Sequence, residues 1–249
     1  EAMSPVDCIF LDPARRNEHG GKTVAISDCE PNVAKLEGLL LSKANRIMIK
    51  LSPMLDLSQA LKELPHTQEV HIISVNNECK ELLLLLGQTA PEEIPVHCVN
   101  LSTKGEQEKQ LFVFTREQEQ HSECSYTDTL GNYLYEPNAS LLKAGAFRSI
   151  AAAYSVKKLH PNSHLYTSET QIEGFPGRTF RIINRCSLNK KEIKENLSDL
   201  KKANITVRNF PATVAELRKR IKLAEGGDTY LFASTLNDGQ KILIRCGKV

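Results

Sequence analysis

Two short stretches carry the side chains best placed to do chemistry. The first is Leu11-Asp12-Pro13-Ala14-Arg15-Arg16, directly after the apolar run Val6-Asp7-Cys8-Ile9-Phe10. Pro13 has no N–H to extend a strand and holds Asp12 in extended geometry, so the carboxylate is fixed at a strand tip. A polar group there, at the carboxyl end of a strand in an open α/β sheet, can meet a bound molecule. Arg15 and Arg16 have the planar fork that grips a phosphate or carboxylate through two bonds. The second stretch, Lys50-Leu51-Ser52-Pro53, repeats the polar-then-proline tip after another apolar run. Lys50 would add a cation to the same crevice. Each residue also has a plainer role. Asp12 would simply cap a turn, Arg15 and Arg16 would pair with Asp28 and Glu30, and Lys50 would solvate a strand end.

The elements that must position these groups alternate. Residues 6–11 read as a strand, a loop runs past Gly20-Gly21, residues 23–27 are strand-like, and a helix covers about 32–43. A second buried strand spans 46–51. A helix opens at Asp56 or Ser58 and closes before Pro65, and a third strand spans 69–75. Residues 78–86 read as a helix, and 95–101 and 111–114 as two strands joined across 103–108. Residues 116–131 suit a linker, and 139–154 a single amphipathic helix. The pattern is α/β, the second half of a doubly wound Rossmann-like sheet. The C-terminal segment reads as a separate βαβαββ module, with Asp238-Gly239 marking its hairpin. The domain boundaries expected are 1–118, 119–177 and 178–249. No Gly-x-Gly-x-x-Gly occurs in the 249 residues, so no phosphate-cradling loop is legible.

Charge divides the chain. Residues 1–177 carry a net charge of −7 and residues 178–249 a net charge of +9. Lys190, Lys191, Lys194, Lys201 and Lys202 recur along one expected helix, and Arg218, Lys219, Arg220 and Lys222 crowd the end of another. Such a concentration is an electrostatic footprint for a polyanion, although cations at a helix C-terminus also complement its dipole. Few aromatics accompany them, which favours shape and phosphate contacts to folded RNA over stacked single strands. The longest apolar run, Leu82 to Leu86, is too short to span a membrane, and no signal-peptide pattern opens the chain. The seven cysteines lack a Cys-x-x-Cys pair and the histidines read as scattered, so buried thiols in a reducing cytosol are expected and no metal site is.

Several stretches resemble known families. Val6 to Arg16 resembles the fourth motif of class I S-adenosylmethionine-dependent methyltransferases, where an Asp-Pro-Pro or Asn-Pro-Pro tip lies beside donor and substrate. Lys50 to Pro53 falls where that fold has its fifth strand. More specifically, Leu134-Tyr135-Glu136-Pro137-Asn138, Leu142-Lys143-Ala144-Gly145 and Gly226-Gly227-Asp228-Thr229-Tyr230-Leu231-Phe232-Ala233 resemble a bacterial methyltransferase-like family with a THUMP-like C-terminal domain. The resemblance implies a partial methyltransferase domain, a small ferredoxin-like connector and a THUMP-like end. It implies S-adenosyl-L-methionine as cofactor, with Leu11, Asp12 and Pro13 beside it, and Asp12, Arg15, Arg16 and Lys50 as catalytic candidates. RNA is the implied partner, met by Lys190, Lys191, Arg218, Lys219, Arg220 and Lys222. With the glycine loop missing, the chain reads as a C-terminal fragment. The tip is Asp-Pro-Ala-Arg, without the aromatic that would stack on a flipped base, so no amino-group target is implied. The rival expectation is a non-catalytic RNA-binding or adaptor protein with a vestigial methyltransferase fold.

Overall fold

The structure, a computed structural model, describes residues 4–15, 25–103 and 109–249, with Arg15 through its backbone alone. The chain divides into two compact units, one of Glu1–His121 with Asn138–Ala146, the other of Ser122–Pro137 with Phe147–Val249. Both are mixed α/β.

In the first unit, β1 (Val6–Leu11) leads to a two-stranded ribbon of β2 (Ala14–Arg15) and β3 (Cys29–Glu30). Helix α1 (Val33–Lys43) begins where the Asn32 side chain accepts from the Lys35 N–H, and it feeds β4 (Ala44–Leu51). Helix α2 (Leu57–Glu63) begins in the same way, Asp56 accepting from the Gln59 N–H at 2.8 Å. Then come β5 (Thr67–Val75), β6 (Glu78–Gly87), β7 (Pro95–Leu101), β8 (Lys109–Thr115), and the short helices α3 (Arg116–His121) and α4 (Ala139–Ala144). The six strands lie in the order β1-β4-β6-β5-β7-β8, with β1 parallel to β4, β5 parallel to β7, and β6 antiparallel to both its neighbours.

Residues 78–86 are therefore strand, not helix. Asn76 and Asn77 both have positive φ, 51° and 64°, the geometry of a tight two-residue hairpin that pairs Val75 with Glu78. The leucines are good helix formers. Alternation wins because it buries Leu82, Leu84 and Leu86 beside Ile47, Ile49, Val70 and Ile72 on one face of the sheet. The opposite face is open among the described residues: Phe10 is 58%, Leu111 48% and Val113 43% exposed. The apolar run of β1 suggests burial on both faces, yet among the described residues β1 lies at the sheet edge and its residues are exposed or half-buried. Residues 116–121, expected as linker, form α3.

The second unit contains β9 (Tyr133–Pro137), α5 (Arg148–Tyr154), β10 (Lys157–Lys158), β11 (Tyr166–Ser168) and β12 (Gly177–Cys186). It continues through α6 (Lys190–Leu197), β13 (Asn204–Val207), α7 (Val214–Ile221), β14 (Thr229–Thr235) and β15 (Lys241–Lys248). The single helix expected over 139–154 is two, since α4 ends at Gly145 (φ 75°), a left-handed cap suited to glycine. One seven-stranded sheet, β10-β11-β9-β12-β15-β14-β13, carries a core on each face. Leu197, Leu217, Leu231 and Leu243 fill the core that holds α6 and α7. The other joins Leu134, Leu159 and Leu165 to Phe180, Phe232 and Ile244. The C-terminal βαβαββ module thus continues the sheet of β9, β10 and β11 and shares one of its two cores with Leu134, Leu159 and Leu165.

Candidate functional site

Neighbouring parallel strands end side by side, and this brings Asp12 and Lys50 together. Leu11 at the end of β1 pairs with Ile49 of β4, so Asp12 and Lys50 emerge at the same edge. The Lys50 ammonium lies 2.5 Å from the Asp12 carboxylate and 4.0 Å from Glu81. Its hydrogen bond to Asp12, more than the carboxylate charges, raises the Lys50 pKa above the ordinary lysine value. Lys50 is therefore a fixed ammonium at physiological pH and no general base. Both groups are accessible, with side-chain exposures of 33% for Lys50 and 51% for Asp12. They open onto a cavity of about 300 Å³ whose floor includes Pro13, Cys29, Leu51 and Leu55. Ser52 is used locally: its hydroxyl accepts from the Met54 N–H, tying the turn after β4. Pro13 is buried and lines the cavity, whereas Leu11 is half-buried and does not line it. Arg16 and the Arg15 side chain lie outside the described residues, so their place relative to Asp12 is not part of the site described.

Sequence reasoning missed Glu81 and Lys80, which also line the cavity. Both sit on β6, read as helix. The Asn76-Asn77 pair was the available signal, because a hairpin there returns β6 antiparallel into the site.

In the second unit, Glu136 is buried (1% of its side chain exposed) between two guanidinium groups. It accepts from Nε of Arg178 and from Nη2 of Arg208, each at 2.9 Å. Gly177 lets the β12 backbone lie close against β9, since a Cβ there would sit 2.1 Å from the Glu136 carbonyl oxygen. The basic candidates divide. Lys190, Lys191, Lys219 and Lys222 are exposed, with Lys191 4.0 Å from Glu195. Arg218 is half-buried, donates to the Ala203 carbonyl at 3.2 Å and lies 3.8 Å from Glu225. Arg220 donates to the Leu188 carbonyl at 2.8 Å. These arginines therefore brace α7 as well as charging its surface. Burial pushes the Cys186 thiol up to about 11 and the Cys246 thiol to about 12, which rules both out as thiolate nucleophiles at neutral pH. None of the seven cysteines is in a disulfide. No described helix is long and apolar enough to cross a membrane.

Residues 133–176 match a family described as a ferredoxin-like domain, and residues 177–248 one described as THUMP domain-like. The whole chain is similar to the crystal structure of a candidate methyltransferase from Porphyromonas gingivalis W83. The two share 40% sequence identity with a TM-score of 0.88, over 98% of this chain and 60% of that one. The chain thus spans 60% of the length of the structure it matches. No curated protein matches it.

Proposed function

We propose that this chain is the RNA-recognising, substrate-side part of an S-adenosylmethionine-dependent methyltransferase acting on structured RNA such as tRNA or rRNA. One observation carries this reading: the likeness to a candidate methyltransferase runs through 98% of the chain at 40% identity. The strand order supports it, with two parallel strands whose polar tips meet at one cavity beside an antiparallel strand. In this reading the glycine-rich donor loop, which the sequence lacks, comes from outside these 249 residues.

The cavity suits one end of such a donor. About 300 Å³ is at the small end of cofactor sites. Asp12 and Glu81 face a single Lys50, and the other lining lysine, Lys80, is paired with Glu78 at 2.7 Å. Among the described residues carboxylates therefore predominate, which complements a sulfonium cation. The donor supplies an electrophilic methyl group, so the protein's task is alignment more than proton transfer. Asp12 accepts a hydrogen bond from the substrate or orients it, Pro13 holds the tip rigid, and Lys50 fixes the carboxylate in place. The Lys-rich surface of α6 and α7 binds phosphates, and cysteines outside any disulfide fit a reducing cytosol.

Asp12→Ala in the longer protein should cripple methyl transfer to RNA and leave the fold intact; a wild-type rate would reduce Asp12 to a structural role. Calorimetry on the 249-residue chain should show weak donor binding, and micromolar affinity would remove the need for an external loop. The second reading, an RNA-binding adaptor with a vestigial site, rests on the 2.5 Å Lys50–Asp12 pair, which leaves the carboxylate already partnered. RNA binding without methyl transfer by the longer protein would decide for it.

A further inference from the structure

Far from Asp12 in sequence, the open face of the first sheet carries three metal-ligating side chains side by side. Strands β5 and β7 are parallel, with His71 and His97 in direct register. Their rings stack with centroids 4.4 Å apart and planes 9° from parallel. Glu69, two positions before His71 and next to a register shift in β5, turns its carboxylate onto both. Its Oε2 is 3.2 Å from Nε2 of His71 and 3.9 Å from Nε2 of His97. One ligand atom from each residue falls within 4.8 Å of the others, and all three residues are half-buried. No spacing rule finds this trio, because the pairing of β5 with β7 creates it.

We propose that Glu69, His71 and His97 form a binding site for a divalent transition-metal cation of the zinc type. Nitrogen and oxygen donors about 2.1 Å from a tetrahedral zinc ion stand roughly 3.4 Å apart, and the two carboxylate–imidazole distances bracket that value. Two imidazoles and one carboxylate are a borderline donor set, matched to zinc, cobalt or nickel more than to calcium or magnesium. The cross-strand neighbours on this face are apolar: Leu83 is paired with His71 and Val113 with His97. Apolar surroundings lower the local dielectric and strengthen ion–ligand attraction. Loading would tilt the stacked rings so that both nitrogen lone pairs converge. Three protein donors leave a fourth position for water. The inference is independent of the RNA reading.

Competition against a chromophoric chelator, with zinc sulfate as the probe and the 249-residue chain as it stands, gives the test. Cys8 and the remaining histidines supply background, so the difference between variants is the measurement. Wild type should show one site tighter than this background, weakened about tenfold or more in His71→Ala, His97→Ala and Glu69→Gln alike. Equal zinc affinity in wild type and all three variants would overturn the proposal and leave the trio a carboxylate-bridged histidine pair. Far-UV circular dichroism checks that the variants fold. Should one fail, cobalt(II) added to the wild type decides: intense visible bands of a tetrahedral nitrogen–oxygen site support the proposal, and weak octahedral bands defeat it.

Discussion

The two sheets of this molecule handle apolar surface in opposite ways. The first buries Ile47, Ile49, Ile72, Leu82, Leu84 and Val96 on one face and leaves Phe10, Leu111 and Val113 open on the other. The second is covered on both faces, and its large aromatics Tyr135, Tyr166, Phe180 and Phe232 are fully buried. Chemistry-bearing groups follow the same division. In the first unit Asp12, Lys50, Glu81 and the His71–His97 pair sit at strand tips or on the open face, where side chains reach a ligand. In the second, Glu136 lies inside the fold and is held there by the half-buried Arg178 and Arg208. A residue's distance from a closed core thus separates functional candidates from structural ones.

The comparison breaks first if equal truncations cost the same in both sheets. Phe232→Ala should lose about 3–5 kcal/mol through its lost burial and the cavity left behind, whereas Phe10→Ala should cost less than about 0.5 kcal/mol. Denaturant unfolding of both variants measures this, and equal losses would mean that the face bearing Phe10 is covered in solution. Glu136→Ala should rank behind Phe232→Ala. Removing the carboxylate takes the shared counter-charge from Arg178 and Arg208, whose side chains are 39% and 37% exposed, so solvent screening holds the loss to about 1–2 kcal/mol. Recovery of full stability in a triple variant that also replaces both arginines with Met would assign the loss to the unpaired charges.

A smaller effect depends on pH. The His164 ring stacks on Phe147 with centroids 3.7 Å apart. Burial first, then the charges of Lys158 and Arg208, push its pKa down from 6.5 to about 4. A histidine depressed in the folded state stays neutral there while the unfolded chain takes up a proton, so protonation favours unfolding. Stability should be unaffected above pH 6.5, fall as pH drops from there, and level off below about 4. Because the ring is partly exposed, solvent screening brings the loss to the order of 1 kcal/mol. His164→Asn should flatten that part of the stability–pH curve, and an unchanged slope would assign it to other groups.

Much of this was legible in the chain, and the illegible parts share a cause. Asp56, one of the two starts its stretch offers, caps α2, and the Asp12 and Lys50 tips meet because neighbouring parallel strands end together. Local propensity failed at residues 78–86, where five consecutive leucines favour a helix and only the Asn76-Asn77 turn favours a return strand. Glu81 was lost with that strand. Register is equally invisible from one stretch of sequence, so His71 and His97 read as scattered. Gly145 shows the reverse: one glycine splits an otherwise continuous amphipathic pattern because it alone accepts φ of 75° at no steric cost.

The smallest expected effect on stability sharpens the contrast within the basic surface itself. Lys219 and Lys222 are exposed, whereas Arg218 and Arg220 donate to the Ala203 and Leu188 carbonyls. If phosphate contacts are their main use, Lys219→Gln with Lys222→Gln should leave unfolding within about 0.5 kcal/mol of wild type. The same pair should weaken tRNA binding and flatten its salt dependence by about one unit per lost contact, because each phosphate no longer neutralised keeps its counterions. Arg218→Gln with Arg220→Gln should lower affinity too, and should also cost about 1 kcal/mol of stability per lost carbonyl bond. Filter binding across a salt series, run beside denaturant unfolding, separates the two pairs. If the lysine pair leaves the salt slope unchanged, the cations of α7 serve the helix dipole and its carbonyls, and any RNA surface must be built from Lys190 and Lys191 on α6.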